Sequence, residues 1–368
     1  MKIAIVHEFL HSKGGAENVL KEVLGIFPEA DIYCLNYLEE TLEDLKIKNV
    51  NSSFITKLPA LFKFKTKYFL PIFPILIEDF DLNEYDLVIS LSNSFAHGVL
   101  TNPDTIHVCY YHSPMRYAWD SYFSYIEENK FNFITKFFVK NIIAKLRRWD
   151  LIASNRPDYR IGNSRTVSNR IKKYYRQNTD KIIFPPVDSC MVKDNIAKED
   201  FYVVVSRLSA YKKIDHAVRA CVKLGKKLKV IGEGPEIEKL KKLANSNIKF
   251  LGRLNDNAKF NELAKAKAFL FPGIDDFGIA PVEAMMAGTP VIAYGQGGAT
   301  ETVIHNKTGL LYPNQTVDCL EEAILEFENK LSSFDPIEIK NHAKQFSTKN
   351  FRTKFKTFID ELIQKTQT

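Results

Sequence analysis

Short apolar runs alternate with amphipathic stretches along the first half of the chain. Helical patterns, the first ending near Ile26, separate runs that have the length and composition of buried strands. The candidate strands are Ile3–Val6, Asp31–Leu35, Tyr85–Leu91, Thr105–Tyr111, Tyr159–Gly162 and Lys181–Phe184. Strands that alternate with helices predict a parallel, doubly wound α/β sheet.

The same alternation starts again after Pro185-Pro186-Val187-Asp188, which we interpret as an interdomain linker. A helix is predicted over Ile214–Leu224, and the chain ends in a helix with an apolar stripe from Phe351 to Leu362. The candidate strands of this half are Phe201–Val205, Lys229–Ile231, Ile248–Phe250, Ala268–Phe271 and Pro290–Ala293. We therefore expect two Rossmann-like domains facing across a cleft, with residues 1–184 binding an acceptor, residues 185–345 binding a nucleotide, and a terminal helix, 346–368, crossing back to the first domain.

Composition and charge narrow the class of protein. The chain has 368 residues, of which 45% are hydrophobic and 26% charged, as in an ordinary globular protein. The first apolar run is too short for a signal peptide, and no run approaches the ~20 residues that span a bilayer. Five scattered cysteines fit a reducing, cytoplasmic compartment. A net charge of +7 allows anionic ligands or lipids but does not require nucleic acid.

Two carboxylates lie on either side of the loop-to-helix junction that follows the predicted strand Ala268–Phe271. Asp275 lies in the loop, Gly278 follows it, and Glu283 lies in a small-residue helix predicted over Pro281–Ala287. The crevice beyond the strand ends of an open α/β sheet is where ligands bind. Carboxylates are poor phosphate ligands but suit sugar hydroxyls, so this pattern predicts a nucleotide-sugar site.

Cations and glycines follow other strands of the second half. Arg207 and Lys212 would reach into the crevice and hold a diphosphate, unless they belong to a solvated loop. Gly297, Gly298 and Glu301 mark a strand-to-helix loop whose N–H groups could seat a phosphate, with a tight turn as the alternative. The glycine fingerprint of dinucleotide-binding proteins is incomplete in this loop, because Thr300 takes the place of the third glycine. It is also incomplete in the loop that starts at Gly232, where Ile237 takes that place.

Two segments of the first half carry candidate chemistry. Gly14-Gly15 precedes a predicted helix and would let the backbone approach a ligand, or else it is a plain connector. His112 ends a strand within an aromatic run, which suits a sugar site, although a lone histidine is more often structural. The sequence contains no nucleophile elbow, zinc-protease motif or phosphate-binding Walker loop, and we expect no metal.

The order of these segments resembles that of the family-four retaining glycosyltransferases of the GT-B fold. Asn163-Ser164-x2-Val167-x2-Arg170 and Phe250-Leu-Gly252-Arg253-Leu254 are similar to further segments of that family. The aromatic run around His112 is similar to members that transfer mannose in bacterial surface-polysaccharide assembly.

The resemblance implies a role for each matching residue. Asp275 would contact donor-sugar hydroxyls, Glu283 the ribose, and His112 the transferred sugar. The remaining assignments are Arg207 and Lys212 to the diphosphate, Phe277, Gly278 and Ile279 to the sugar and phosphate through their backbone, Arg253 and Leu254 to the nucleobase, Gly14 and Gly15 to the phosphates of the donor, and Gly297, Gly298 and Glu301 to the phosphate seat. The family usually has glutamate where this chain has Asp275, and Asp276 could share its role.

The expected activity is transfer of a hexose from a nucleotide diphosphate sugar, with retention at the anomeric carbon and without a metal or other cofactor. The resemblance favours GDP-mannose as the donor and a glycan or polyprenyl-linked saccharide as the acceptor. A GT-B nucleotide-sugar epimerase and a non-catalytic nucleotide-sugar-binding protein remain alternatives. Leu58–Leu70 and Phe131–Arg148 mix aromatic and basic residues, so they are either core-facing helices or segments that attach the protein to the inner face of the cytoplasmic membrane.

Overall fold

The chain folds into two compact α/β units. The computed structural model describes residues 1–11, 14–58, 69–129, 131–188 and 196–366. One unit comprises Met1–Phe184 and Lys354–Thr368, and the other comprises Pro185–Thr353. Parallel strands alternate with helices in both units, which confirms the doubly wound α/β architecture expected from the sequence.

In the first unit, the described strands form one parallel sheet. The strands are β1 (Ile3–Leu10), β2 (Asp31–Tyr37), β3 (Asn51–Ser52), β4 (Leu87–Ser92), β5 (Ile106–Tyr111), β6 (Tyr159–Gly162) and β7 (Lys181–Ile182). The helices are α1 (Gly15–Ile26), α2 (Glu39–Leu45), α3 (Phe73–Glu78), α4 (Tyr122–Glu128), α5 (Phe133–Ala153) and α6 (Arg165–Tyr175). The sheet order is β3-β2-β1-β4-β5-β6-β7, with Ile5 of β1 in register with Ile32 and Ile89. β4 is buried along its whole length, as expected for a parallel strand covered on both faces.

The second unit repeats this plan. Its strands are β8 (Tyr202–Val205), β9 (Leu228–Ile231), β10 (Ile248–Gly252), β11 (Ala268–Phe271), β12 (Val291–Tyr294) and β13 (Gly309–Tyr312). Its helices are α7 (Ile214–Lys223), α8 (Ile237–Leu243), α9 (Asp256–Lys265), α10 (Ile279–Met286), α11 (Ala299–Thr302), α12 (Val317–Asn329) and α13 (Pro336–Ala343). The order of the described strands, β10-β9-β8-β11-β12-β13, is the Rossmann order with its reversal between β8 and β11.

The last helix, α14 (Thr348–Thr366), carries the apolar stripe predicted from the sequence. Phe351, Phe355, Phe358, Ile359 and Leu362 are all buried. Within the first unit, the ring centroid of Phe355 lies 6.3 Å from that of Tyr110, and the centroid of Phe358 lies 6.4 Å from that of Tyr159. The part of the stripe from Phe355 onward therefore belongs to the hydrophobic core of that unit.

The structure differs from the sequence predictions at three places. The helix placed at Pro281–Ala287 begins earlier, at Ile279, and ends at Met286. Strand β13 was not predicted, because its first residue is a glycine that reads as the end of a turn. The structure requires that glycine, since a Cβ on Gly309 would lie 1.9 Å from the carbonyl oxygen of Val291 on the neighbouring strand. The short strand β3 was also missed.

Candidate functional site

The topological switch point of the second sheet brings together loops that are distant in sequence. β8 and β11 are neighbours there, and the chain leaves both strands at their carboxyl ends. Arg207 and Lys212 follow β8, whereas Asp275 follows β11. In a doubly wound sheet, ligands bind in the crevice at such a point.

Lys212 and Asp275 form an ion pair at this position. The Nζ atom of Lys212 lies 2.5 and 2.6 Å from the two carboxylate oxygens of Asp275, and the two side chains are 16% and 23% exposed. Gly273 makes the approach possible, because a Cβ at that position would lie 2.9 Å from the carbonyl oxygen of Lys212. A diphosphate bound by Lys212 would therefore lie next to Asp275, and the ammonium group would have to serve both anions.

Glu283 also has a lysine partner, which the sequence analysis missed. It accepts a hydrogen bond of 2.8 Å from Lys259 of α9, and the two side chains are 14% and 16% exposed. Burial raises the pKa of the Glu283 carboxyl, and the charge of Lys259 opposes that rise. Burial acts to lower the pKa of Lys259, but the carboxylates of Glu283 and Asp256 hold it above its ordinary value. In the sequence, Lys259 looks like any solvated lysine of an amphipathic helix.

The loop at Gly297 and Gly298 supports the position of Asp275. The N–H of Gly298 donates to the carbonyl oxygen of Asp275 at 2.8 Å. A Cβ on Gly297 would lie 2.5 Å from that same oxygen, and a Cβ on Gly298 would lie 2.1 Å from the carbonyl oxygen of Phe277. Both glycines are therefore needed for the close approach of two backbone segments.

The same loop was predicted to seat a phosphate at a helix N-terminus, and that role stays a prediction. The helix after the loop, α11, has only 4 residues. The N–H groups of Gly298, Thr300 and Glu301 already donate to carbonyl oxygens within the second unit. A phosphate there would find few N–H groups to bind, because the turn consumes them.

The other predicted donor-site residues occupy varied environments. Arg207 and Arg253 are exposed, and the described part of the chain provides no ion-pair partner for either. Gly278 has a φ of +87° and caps α10, whose first residue is the half-buried Ile279. The ring of Phe277 is buried with its centroid 5.6 Å from that of Phe346, so only its backbone is available to a ligand. Leu254 is half-buried beyond the end of β10.

In the first unit, His112 is held at the end of β5 as a neutral imidazole. Its backbone N–H donates to the backbone carbonyl oxygen of Ser92 at 2.9 Å, and its backbone carbonyl accepts from the side-chain amide of Asn163 at 2.8 Å. Burial and the neighbouring His7 lower the pKa of His112 to about 3, and burial lowers that of His7 to about 4. The two rings make an edge contact, and Nε2 of His112 and Nδ1 of His7 have no hydrogen-bond partner among the described residues.

Two carboxylates of the first unit, those of Glu17 and Glu8, lie against backbone segments that an anion could otherwise bind. Gly14 caps α1, which begins at Gly15, and Glu17 folds back so that a Cβ on Gly14 would lie 2.8 Å from its Oε2. Buried Glu8 accepts hydrogen bonds from four consecutive N–H groups, those of residues 93–96, at the switch point between β1 and β4. Neither acid was predicted to have a role.

Comparison with known proteins identifies the segment that holds the ion pairs. Residues 191–345 match the family described as glycosyl transferases group 1. This segment is a group 1 glycosyltransferase domain. The group 1 domain contains Arg207, Lys212, Asp275 and Glu283, as the resemblance to the family-four enzymes implied.

Relatives and solved structures extend this identification. A GDP-mannose-dependent phosphatidylinositol monomannoside mannosyltransferase of Mycobacterium tuberculosis is 35% identical over 142 residues, which cover 34% of this chain and 37% of that protein. An α-1,3/1,6-mannosyltransferase, ALG2 of Rhizomucor pusillus, is 36% identical over 109 residues, or 29% of this chain and 23% of that protein. Anabaena HepE, solved with UDP, matches 98% of this chain and 100% of its own at 18% identity and a TM-score of 0.70.

These similarities confirm the predicted family resemblance and the GT-B fold class. Similarity at 18% identity over whole chains establishes the fold alone. The alignments with the curated relatives span well under half of their lengths, 37% and 23% in the two cases above. The roles assigned to individual residues of the group 1 domain stay predictions. Metal independence also stays a prediction, although the described residues hold no group of three or more potential metal ligands.

Proposed function

We propose that the protein is a retaining glycosyltransferase that moves mannose from GDP-mannose to a hydroxyl group of a glycan or lipid-linked saccharide. The observation that carries the proposal is the grouping of Lys212, Asp275 and Arg207 at the switch point of a group 1 domain, with Glu283 on the following helix. GDP-mannose is favoured because relatives that match this domain are named as GDP-mannose-dependent. Since HepE was solved with UDP, the nucleobase is the first point to test.

Charge explains how these residues would act on the donor. Departure of a nucleoside diphosphate places negative charge on its phosphate oxygens, and fixed cations lower the energy of that state. Arg207 is exposed and has no ion-pair partner within the described ranges, so its planar fork is available to the diphosphate. Lys212 would supply a second cation while Asp275 turns toward the sugar hydroxyls. Glu283, whose carboxyl group is paired with Lys259, would accept hydrogen bonds from the ribose.

The retention that the family resemblance implies could arise through a covalent intermediate or through attack on the face that the diphosphate leaves, and the positions of the carboxylates favour the second route. Retaining glycosidases that form a covalent intermediate place two carboxyl groups about 5 Å apart around the bond that breaks. Here Asp275 and Glu283 each have a lysine partner on the donor side, and neither is a free nucleophile. We therefore assign the reaction to attack by the acceptor on the face that the diphosphate leaves.

We assign acceptor binding to the first unit and place the reaction in surface-polysaccharide assembly at the inner face of the cytoplasmic membrane. Neutral His112, with Nε2 buried and unpaired within the described structure, could exchange a hydrogen bond with a sugar hydroxyl. None of the described helices has the length and hydropathy needed to cross a bilayer.

The test measures donor choice and transfer together. The unfolding temperature of the purified protein is measured in the presence of GDP-mannose, GDP-glucose, UDP-glucose or UDP-galactose. In a separate assay, native protein is incubated with each donor and a polyprenyl-linked saccharide, and transfer is measured. We expect GDP-mannose to give the largest protection, and transfer to require the acceptor. Arg207→Ala should reduce turnover about a hundredfold, or about 3 kcal/mol of transition-state stabilisation, whereas the exposed control Arg219→Ala should not.

Three outcomes would contradict the proposed activity, and a fourth would contradict the role of Arg207. Stronger protection by UDP-sugars would refute GDP-mannose as the donor. An epimerised sugar nucleotide formed without acceptor would identify an epimerase instead. Donor binding with neither transfer nor hydrolysis under any condition would identify a binding protein. Near-normal turnover of Arg207→Ala would refute the role of that residue.

A further inference from the structure

Large apolar side chains project into solvent from the first two turns of α5. Phe133, Ile134, Phe137 and Phe138 are 86%, 67%, 61% and 60% exposed. The pairs 133/137 and 134/138 are each four residues apart, so the side chains share one face of the helix. Contiguous exposed patches of this kind mark interaction surfaces in otherwise polar proteins.

The opposite face of α5 is fixed to its unit, so the outward direction of the patch is part of the fold. Ile143, Leu146 and Asp150 are buried on that face. Asp150 accepts hydrogen bonds from Nε1 of Trp119 at 2.6 Å and from the hydroxyl of Tyr175 at 3.0 Å. The helix therefore cannot rotate to hide the phenylalanines without breaking a buried polar network.

The charge along α5 selects the partner. From residue 131 to residue 149 the sequence contains five lysines and arginines and no aspartate or glutamate. Lys140, Lys145 and Arg148 are exposed beyond the aromatic end. Exposed aromatic side chains that are followed along the same helix by exposed cations complement an anionic bilayer, where the rings enter the interface and the cations meet lipid phosphates.

We propose that the face of α5 formed by Phe133, Ile134, Phe137, Phe138, Lys140 and Lys145, here called the α5 patch, inserts into the surface of an anionic lipid bilayer. The inference deepens the proposed function by naming the surface that would bring the protein to a lipid-linked acceptor. The other basic segment singled out in the sequence, Leu58–Leu70, falls mostly on residues 59–68, outside the described ranges, and is not needed for the argument.

Sedimentation of the full chain with vesicles tests the proposal. Vesicles of phosphatidylcholine with roughly one-third phosphatidylglycerol are compared with pure phosphatidylcholine vesicles at about 0.1 M and about 0.5 M salt. We expect binding to the anionic vesicles that weakens at least about tenfold at the higher salt. Phe133→Ser/Phe137→Ser should weaken binding about tenfold or more at both salt concentrations.

Charge reversal separates the electrostatic part of the binding from the apolar part. Lys140→Glu/Lys145→Glu should weaken binding at least about tenfold at low salt and much less at high salt. Matched controls lie in the second unit. Lys241→Glu/Lys242→Glu reverses exposed charges on α8, and Ile337→Ser removes an exposed apolar side chain, and both should bind as the parent protein does.

A fluorescence measurement reports insertion directly. Phe137→Trp should shift its emission to shorter wavelength with anionic vesicles and be quenched by brominated lipid, whereas Ile337→Trp should do neither. Salt-insensitive binding, binding unaffected by the α5 patch variants, or no binding at all would overturn the proposal. A dimer in solution that Phe133→Ser/Phe137→Ser dissociates would also overturn it, because the patch would then bind a second copy.

The outcomes also distinguish this proposal from the proposed function. Variants of the α5 patch should keep full transfer to a water-soluble acceptor, and Arg207→Ala should lose transfer but keep vesicle binding. Failure of the first expectation would show that the patch acts in the reaction itself. If the parent protein binds vesicles but shows no transfer, only the proposed function would be refuted.

Discussion

The ion pair between Lys259 and Glu283 gives a quantitative test of the candidate donor site. Replacing Lys259 with methionine keeps its apolar stem but removes the charge 2.8 Å from the Glu283 carboxylate. Removing one partner of a buried pair costs about 3–5 kcal/mol. Since the two side chains retain 16% and 14% of their exposure, we expect the lower end, about 3 kcal/mol of unfolding free energy at neutral pH.

The pH dependence of that loss identifies its cause. Burial already raises the pKa of Glu283 above its ordinary value of 4.5, and removal of Lys259 should raise it further. A raised pKa means that the folded state binds the proton more tightly than the unfolded state, so this group favours folding at low pH and loses that effect as pH rises through the folded-state pKa. The deficit of Lys259→Met should therefore be largest above that pKa and fade as pH falls toward 4.5.

Urea unfolding between about pH 5 and pH 8 measures the effect. Lys265→Met on the same helix is the control, because its pair with Glu199 is solvent-exposed and should contribute about 1 kcal/mol or less. The double variant Lys259→Met/Glu283→Gln should recover much of the loss, since no buried charge remains. An equal deficit at every pH, or a double variant no more stable than Lys259→Met, would refute the reasoning.

Three further predictions concern His7, Gly298 and the ion pair between Lys212 and Asp275. Burial lowers the pKa of His7 from 6.5 to about 4, so the unfolded state binds a proton more readily than the folded state and stability falls as pH drops below 6.5. His7→Gln should therefore reduce the loss of unfolding free energy between pH 7.5 and pH 5 by about 2 kcal/mol, and an unchanged loss would contradict this. Gly298→Ala should lower the unfolding free energy by about 2 kcal/mol or more and abolish the thermal protection that the donor gives. Gly225→Ala, which has open space around its Cβ, should cost about 1 kcal/mol through backbone strain alone, and equal effects of the two variants would contradict the packing argument. Asp275→Asn should release Lys212 and tighten GDP binding by calorimetry about fivefold while turnover falls; a parallel loss of both would show that Asp275 only positions the lysine.

Much of the architecture was predictable because hydrophobic periodicity reports burial directly. The alternation of apolar runs with amphipathic stretches predicted two doubly wound sheets, and the spacing of Phe351, Phe355 and Phe358 predicted the buried stripe of the last helix. The exceptions follow the same logic. Strand β13 has only four residues, which is too short for a hydrophobic pattern to be recognised, and its first residue is a glycine, which is typical of a turn.

The sequence proposed residues for the candidate site but could not predict which of them pair. Residue types and their places after strands singled out Lys212, Asp275 and Glu283 as separate ligands. Periodicity says which face of an element is buried, but it does not say which side chains meet across 63 residues, as Lys212 and Asp275 do, or across 24, as Lys259 and Glu283 do. Those meetings depend on the strand order, which is a property of the whole sheet.

The sequence by itself determined two α/β repeats, a linker near Pro185 and a set of polar residues at strand ends, because these depend on local composition and spacing. The tertiary structure alone decided that Gly297 and Gly298 pack against the backbone of Asp275 and Phe277, that Lys259 pairs with Glu283, and that the phenylalanines of α5 face solvent. An apolar side chain in a helical pattern reads as core in any sequence. Only the packing of Ile143 and Leu146 on the other face of α5 determines which apolar side is left outside.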